Sequence, residues 1–250
     1  MADGMILWEG PSRIDGKPIV VIGTGIASAT KNRKAANMVQ VNILARDVAP
    51  HVAVKTGDDR SVCGDCKNRR PTPDQDDNQE APCYVLVFQG PLNVWKCYKR
   101  GGYPKATPSA LVGLLVRLGT YGDPSAVPLA VWTAILWGVR GWTGYTHQWR
   151  SAPEYRGILM ASVDTPEERS EAKAMGFRTF RTRLPHEPLQ AGEISCPASS
   201  EAGHRTTCDR CLLCDGAAEG DTRRDEAIVR HGAANKVNAY DRMRSRLRVL

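Results

Sequence analysis

Gly157-Ile158-Leu159-Met160-Ala161-Ser162-Val163, then Asp164-Thr165-Pro166-Glu167-Glu168, then Gly176-Phe177-Arg178-Thr179-Phe180-Arg181-Thr182-Arg183: this run decides the fold. The first stretch is short and apolar, as a buried strand requires. Thr165 supplies an N-cap hydroxyl, Pro166 has the fixed φ suited to a first helical position, and two acids follow near the positive helix end. A helix therefore runs to Gly176, and 177–183 follow as another strand. Strand–helix–strand at this spacing is a βαβ unit with parallel strands.

Working upstream, 143–147 and 114–121 also have strand character, and 125–139 has a helical pattern with Pro124 and Pro128 near its start. The expected fold class is α/β, with alternating βα units forming a mostly parallel sheet or a partial barrel. Two β-branched runs, 19–23 and 38–44, add earlier strands, separated by a basic turn at Lys31 to Lys34. Downstream, 227–230 reads as a last strand. Val237, Tyr240, Met243, Leu247 and Leu250 then have helical spacing, with Arg242, Arg244, Arg246 and Arg248 among them. The expected organisation is an α/β domain over 1–183 and a cysteine-rich stretch with a basic helix over 184–250, packed on the same domain.

The chain has 250 residues, 42% of them hydrophobic and 24% charged, enough for a sizeable core without covalent staples. A net charge of +7 favours polyanionic partners without requiring one. Met1-Ala2-Asp3-Gly4 lacks the basic start and apolar run of a signal peptide. The longest apolar stretch, 129–139, is broken by Thr133 and Gly138 and is far short of the ~20 residues that span a bilayer. No membrane association is expected, and the expected location is a reducing cytoplasm, where clustered cysteines read as metal ligands.

The eight cysteines fall into two groups. Cys208-Asp-Arg-Cys211-Leu-Leu-Cys214 places three thiols at intervals of three, and Cys196, followed by Pro197, is the remote fourth. Closely spaced thiols with a distant Cys-Pro suit a [4Fe–4S] cluster; His204 inside the loop keeps zinc as the alternative. The other group is Cys63-Gly-Asp-Cys66 with Cys83, in a polar loop over 56–82. Loops of that length inside a compact domain are usually functional. Cys97 lies in a helical pattern and reads either as a small core residue or as a fourth ligand that would close a structural site. Three ligands with an open position suit a reactive metal.

In parallel α/β folds the chemistry sits at the carboxyl ends of the strands. Those ends here are 117–124, including Gly122 and Asp123, then Gly144-Tyr145-Thr146-His147-Gln148-Trp149, then Ser162-Val163-Asp164. Asp123 suits a ligand contact or a helix cap. His147 suits an acid/base role or a structural one. Lys55, Arg117, Arg150 and Arg181 are candidate anion holders, although a single such residue is usually surface charge. Gly23-Thr24-Gly25 lacks the full dinucleotide fingerprint.

The segments Ser61 to Cys66, Cys83-Tyr84, Arg117 to Pro124, Gly144 to Trp149 and Cys196-Pro-Ala-Ser resemble an uncharacterised protein family of actinobacterial phages and mobile elements, which implies a host cytoplasm but no activity. A looser resemblance is to radical S-adenosylmethionine enzymes. It implies a partial barrel, a cluster on Cys63, Cys66 and Cys83, and S-adenosylmethionine held by Gly122, Asp123 and Ser162. The x₂ and x₁₆ cysteine spacing departs from that family's usual C-x₃-C-x₂-C. Two function classes follow: an iron–sulfur enzyme with radical or redox chemistry, Asp123 and His147 being its catalytic candidates, or a zinc-stabilised nucleic-acid-binding protein. Residues 221–250 hold eight Lys/Arg against four Asp/Glu, as a phosphate-tracking helix would.

Overall fold

The structure, a computed structural model, describes residues 3–27, 35–70, 81–107 and 109–247. The basic turn at Lys31 to Lys34, part of the first cysteine loop, Arg248 and Leu250 lie outside the described residues.

The fold is mixed α/β, with two five-stranded sheets of mostly parallel strands. In the first sheet, β1 (Gly4–Pro11), β2 (Pro18–Thr24) and β3 (Met38–Ala45) are antiparallel neighbours; β4 (Leu115–Tyr121) and β5 (Gly141–Thr143) then continue parallel. The second sheet joins β6 (Tyr145–Thr146), β7 (Met160–Val163), β8 (Thr179–Arg183), β10 (Asp225–Val229) and β9 (Glu193–Ser195), every neighbour parallel. Only Gly144 separates β5 from β6. A Cβ there would lie 2.6 Å from Leu159 Cδ2, so glycine lets the chain pass closely from one sheet into the other.

Helices α1 (Pro50–Thr56), α2 (Arg60–Cys63) and α3 (Gly90–Lys99) fill the connection from β3 to β4, and α4 (Leu129–Ile135) lies between β4 and β5. α5 (Pro166–Ala174) crosses from β7 to β8 as its sequence requires. The Thr165 hydroxyl accepts from the Glu168 amide at 3.2 Å, and Gly176 ends the helix at φ +84°. A short helix, α6 (Cys208–Cys211), and α7 (Ala234–Leu247) complete the chain.

The two sheets bury different material. Strand β3 is buried along its whole length. Val39, Val41 and Ile43 join Val116, Leu118, Trp132, Tyr155 and Leu159 in the main core. The opposite face carries Met38, Gln40 and Asn42, all buried. Behind the second sheet, Ala161, Val163, Ala172 and Phe177 pack with Trp149. Fully buried Arg181 meets Glu193 at 2.6 Å, and Arg169 meets Asp225 at 2.7 Å. Met38 and Leu115 of the first sheet share an apolar cluster with Cys196, Cys208 and Ile228 of the second half, so the two sheets turn one face towards each other.

Several expectations are redrawn. The single sheet is two, begun by an antiparallel hairpin whose strand β1 has no clean alternation because Trp8 follows a bulge. The helix expected over 125–139 is a 3₁₀ turn, Pro124–Ala126, followed by the shorter α4: Pro128, without an amide hydrogen, sits at the helix start instead of inside it. The polar stretch 184–220 contains β9 and α6, and β10 inserts between β8 and β9. Residues beyond 184 therefore complete the second sheet.

Candidate metal and ligand site

Residues 63–69 lie across the carboxyl ends of β4, β6 and β7. α2 ends at Cys63, and Gly64 turns the chain with φ +58°. A Cβ on Gly64 would lie 2.4 Å from Gln148 Cδ, so the loop sits flush on the residue after His147. Gln148 Oε1 accepts from the Asp65 amide at 3.2 Å, and its Nε2 donates to the Cys63 carbonyl at 3.3 Å. Arg69 bridges the loop to Asp59 and donates to the carbonyls of Gly57 and Gly64. Lys67 reaches Asp164 at 2.8 Å and Glu168 at 2.6 Å. The Cys83 amide donates to the Asn68 carbonyl at 3.0 Å, which brings the third thiol back to the first two.

Burial pushes the Cys63 thiol well above its ordinary range, and the neighbouring Asp59, Cys66 and Cys83 push it further. Burial raises Cys83 to about 11. These thiols oppose one another's ionisation, and a bound cation is what lets such a group lose its protons together. The Tyr121 hydroxyl is buried without a hydrogen-bond partner, close enough for Cys63 and Cys83 to raise its pKa; Asn68 Oδ1 is similarly orphaned. Burial pulls on the His147 ring in the opposite sense, but Cys66, Asp123 and Asp164 raise it to about 9. Asn68 Nδ2 lies 3.4 Å from His147 Nε2.

The Asp123 carboxylate is engaged inside the chain. Oδ1 accepts from the Ser125 amide and hydroxyl at 3.0 and 2.8 Å, and Oδ2 accepts from the His147 amide at 2.7 Å. It caps the turn after β4 and fixes where His147 leaves β6. Gly122 has φ +82°, and a Cβ there would lie 2.7 Å from the Ile43 carbonyl, so backbone geometry alone demands glycine. Ser162 is half-buried on β7, in register with Phe180.

The second group is built around β9, β10 and the junction of β5 with β6. Cys196 follows β9 directly, and its amide donates to the Ala227 carbonyl of β10 at 2.8 Å. Leu212, in the left-handed region at φ +51°, lies beside Leu115 and Gly141, where β4 and β5 begin. The Cys214 carbonyl accepts from the Gly144 amide at 2.9 Å. Arg178, 3% exposed, holds the loop by donating to the carbonyls of Leu213, Gly216 and Arg224. Burial raises Cys214 well above the ordinary thiol range, and Glu226, Cys196 and Cys208 add to it. Cys214 Sγ lies 3.5 Å from Glu226 Oε2. Burial also raises Cys211, with Cys208 and Glu226 contributing. His204 instead places Nδ1 3.2 Å from the Ala198 carbonyl.

Among the described residues, no three His, Cys, Asp or Glu side chains converge closely enough to grip a metal ion as they stand. The thiols are neighbours that influence one another, short of being drawn onto one centre. Cys97 is buried and separate from both groups, in van der Waals range of Gly102. Sequence reasoning missed Lys67, Arg178 and Gln148, since nothing in their local spacing announces that one clips a distant loop.

The basic C-terminal helix turns part of its charge inward. Arg244 is buried and reaches Glu187 at 2.6 Å, and Asp241 takes Arg230 at 2.6 Å. Tyr240 donates to Asp164 at 2.9 Å, tying α7 to the end of β7. Among the described residues, no helix is long and apolar enough to cross a membrane. Compared with protein-family models, curated proteins and solved structures, the chain matches none.

Proposed function

We propose that this chain is an iron–sulfur protein with an enzymatic site at the carboxyl ends of its parallel strands, on sheets that together make a partial barrel. Cys63, Cys66 and Cys83 would hold one cluster there, and Cys196, Cys208, Cys211 and Cys214 a second beside β9 and β10. The carrying observation is the first set of thiols: half-buried, with Cys63 and Cys83 raised by burial, and beside an orphaned tyrosine hydroxyl. When bound, a cluster held by three thiolates supplies redox or radical chemistry at the iron that lacks a protein ligand.

The chain's own residues then have separable tasks. Gln148 and Asn68 position the loop that carries the thiols. Asp123 positions His147 through its backbone, which leaves the His147 ring as the better catalytic candidate. S-adenosylmethionine, the cofactor implied by the radical-enzyme resemblance, would meet Ser162 more readily than Asp123, whose oxygens are already engaged.

Anaerobic purification with iron, zinc and acid-labile sulfide analysis tests the reading. About eight irons and a brown protein support two clusters, and about four support one; S-adenosylmethionine cleavage is then assayed. A colourless protein containing zinc and no iron overturns it. The zinc reading draws on the nearness of His147 to Cys66, which would add a histidine to the three cysteines as a candidate donor. A nucleic-acid role for such a zinc protein would need surface other than Arg244, which faces the interior.

A further inference from the structure

Among the described residues, the face on which the two sheets meet holds one positive charge without a counter-charge. Arg117 lies mid-strand in β4, in register with Gln40 on one side and Thr143 on the other. Its neighbours at 116 and 118 belong to the main core, so Arg117 shares the opposite face with Leu115. Every other deeply placed arginine has a partner: Arg178 has carbonyls and Glu226, Arg181 has Glu193, and Arg244 has Glu187. Among the described residues, Arg117 makes no ion pair and its guanidinium makes no hydrogen bond.

Its surroundings are polar and incomplete. Tyr84, Tyr145, Cys208 and Cys214 lie close enough to act on its charge. The Tyr145 ring is fixed against Phe180 at 4.8 Å between centroids. Beside Arg117, the Thr143 hydroxyl is buried without a hydrogen-bond partner. Gln40 cannot substitute for an anion: its Nε2 donates to the Met38 carbonyl and its Oε1 accepts from Thr120. Arg117 itself stays partly exposed, while Gln40 and Thr143 on either side are buried. A guanidinium removed from bulk water without a counter-charge is costly, and its planar fork fits a carboxylate or a phosphate through two parallel hydrogen bonds.

We infer that Arg117 is the anchor of a binding site for an anionic small molecule, carrying a carboxylate or a phosphate, on the face between the two cysteine groups. The Thr143 hydroxyl is placed to add one neutral hydrogen bond beside it. The inference stands without either cluster, because it needs only the strand register and the unpaired charge.

The test titrates the purified protein, with its metal content measured in the same samples, against inorganic phosphate and against succinate, chloride serving as the ionic-strength control. Saturable stabilisation by one of the two, absent with chloride, is expected, and which one acts identifies the anionic group. Arg117→Gln should weaken that response about tenfold to a hundredfold, the range for losing a charge-assisted contact, with metal content unchanged. Arg117→Lys keeps the charge, so it should retain part of the response and also shows that the site tolerates substitution. No anion-specific response in the parent protein overturns the proposal. So does loss of metal in Arg117→Gln, which would make the guanidinium a counter-charge to the thiolates at Cys208 and Cys214. A protein without metal that still binds the anion through Arg117 would sink the cluster reading and leave this one standing.

Discussion

The two cysteine groups sit on different parts of the sheets and are held in opposite ways. The first rests on the carboxyl ends through a loop fastened by side chains at its surface: Gln148, Asn68, Arg69 and Lys67. All three of its thiols are only half-buried. The second is locked against the strands, with Cys196, Cys208 and Cys214 buried and Arg178 clipping three carbonyls of its loop. The difference teaches that one sequence pattern, clustered cysteines, serves two physical designs. A loop fastened over strand ends leaves room for a substrate, whereas a loop built into the sheet contributes to the fold.

The largest effect that would sharpen this contrast is expected at Arg178. Arg178→Met strands buried carbonyls and leaves Glu226 without its cation, so stability should fall by about 3–5 kcal/mol. At about 2–4 °C per kcal/mol for a chain of this size, the thermal midpoint should drop by roughly 6–20 °C. An unchanged midpoint would mean that the second loop is not locked to the sheet. Next come the thiols: Cys208→Ser should lower both metal content and thermal midpoint, whereas Cys66→Ser should lower metal content with little change in midpoint. Equal loss of stability in the two variants would break the distinction.

Smaller effects test the fastenings of the first loop. Gln148→Ala removes two part-buried hydrogen bonds and should cost about 1–3 kcal/mol, read by chemical denaturation, with faster amide exchange over residues 63–69. Protection unchanged across that loop would place its anchoring elsewhere. The smallest effect is a pH dependence within the second loop. The Arg223 guanidinium, with the amides of Arg223 and Ala218, holds the Asp221 carboxyl far below its ordinary value. Its folded pKa is below its unfolded one, so the stability it adds is present above about pH 4 and is lost as the pH falls through the folded value. Asp221→Asn should flatten that acid limb; an identical limb in the variant would assign it to other carboxylates.

The βαβ unit around α5 was legible because its signals are local. Thr165, Pro166, the acids after it and Gly176 each act within one turn, and the structure uses the cap and the stop as written. The helix over 125–139 was misjudged in length because apolar spacing does not reveal that the Asp123 side chain and Pro128 split the segment in two. The first strand was invisible because a bulge between Ile6 and Trp8 breaks its alternation.

What the sequence determined by itself, then, was the parallel α/β character, the helix boundaries that have caps, and the close spacing of the cysteines along the chain. These follow from interactions a few residues long. Only the tertiary structure decided that the chain makes two sheets joined at Gly144 and that β10 inserts between β8 and β9. It also decided the fates of the arginines. Arg178, Arg181 and Arg244 are alike in sequence to Arg117, yet each found a buried partner that Arg117 lacks. Pairing of that kind depends on which distant strand becomes a neighbour, and burial then turns an ordinary surface charge into either a clip or an unanswered demand for an anion.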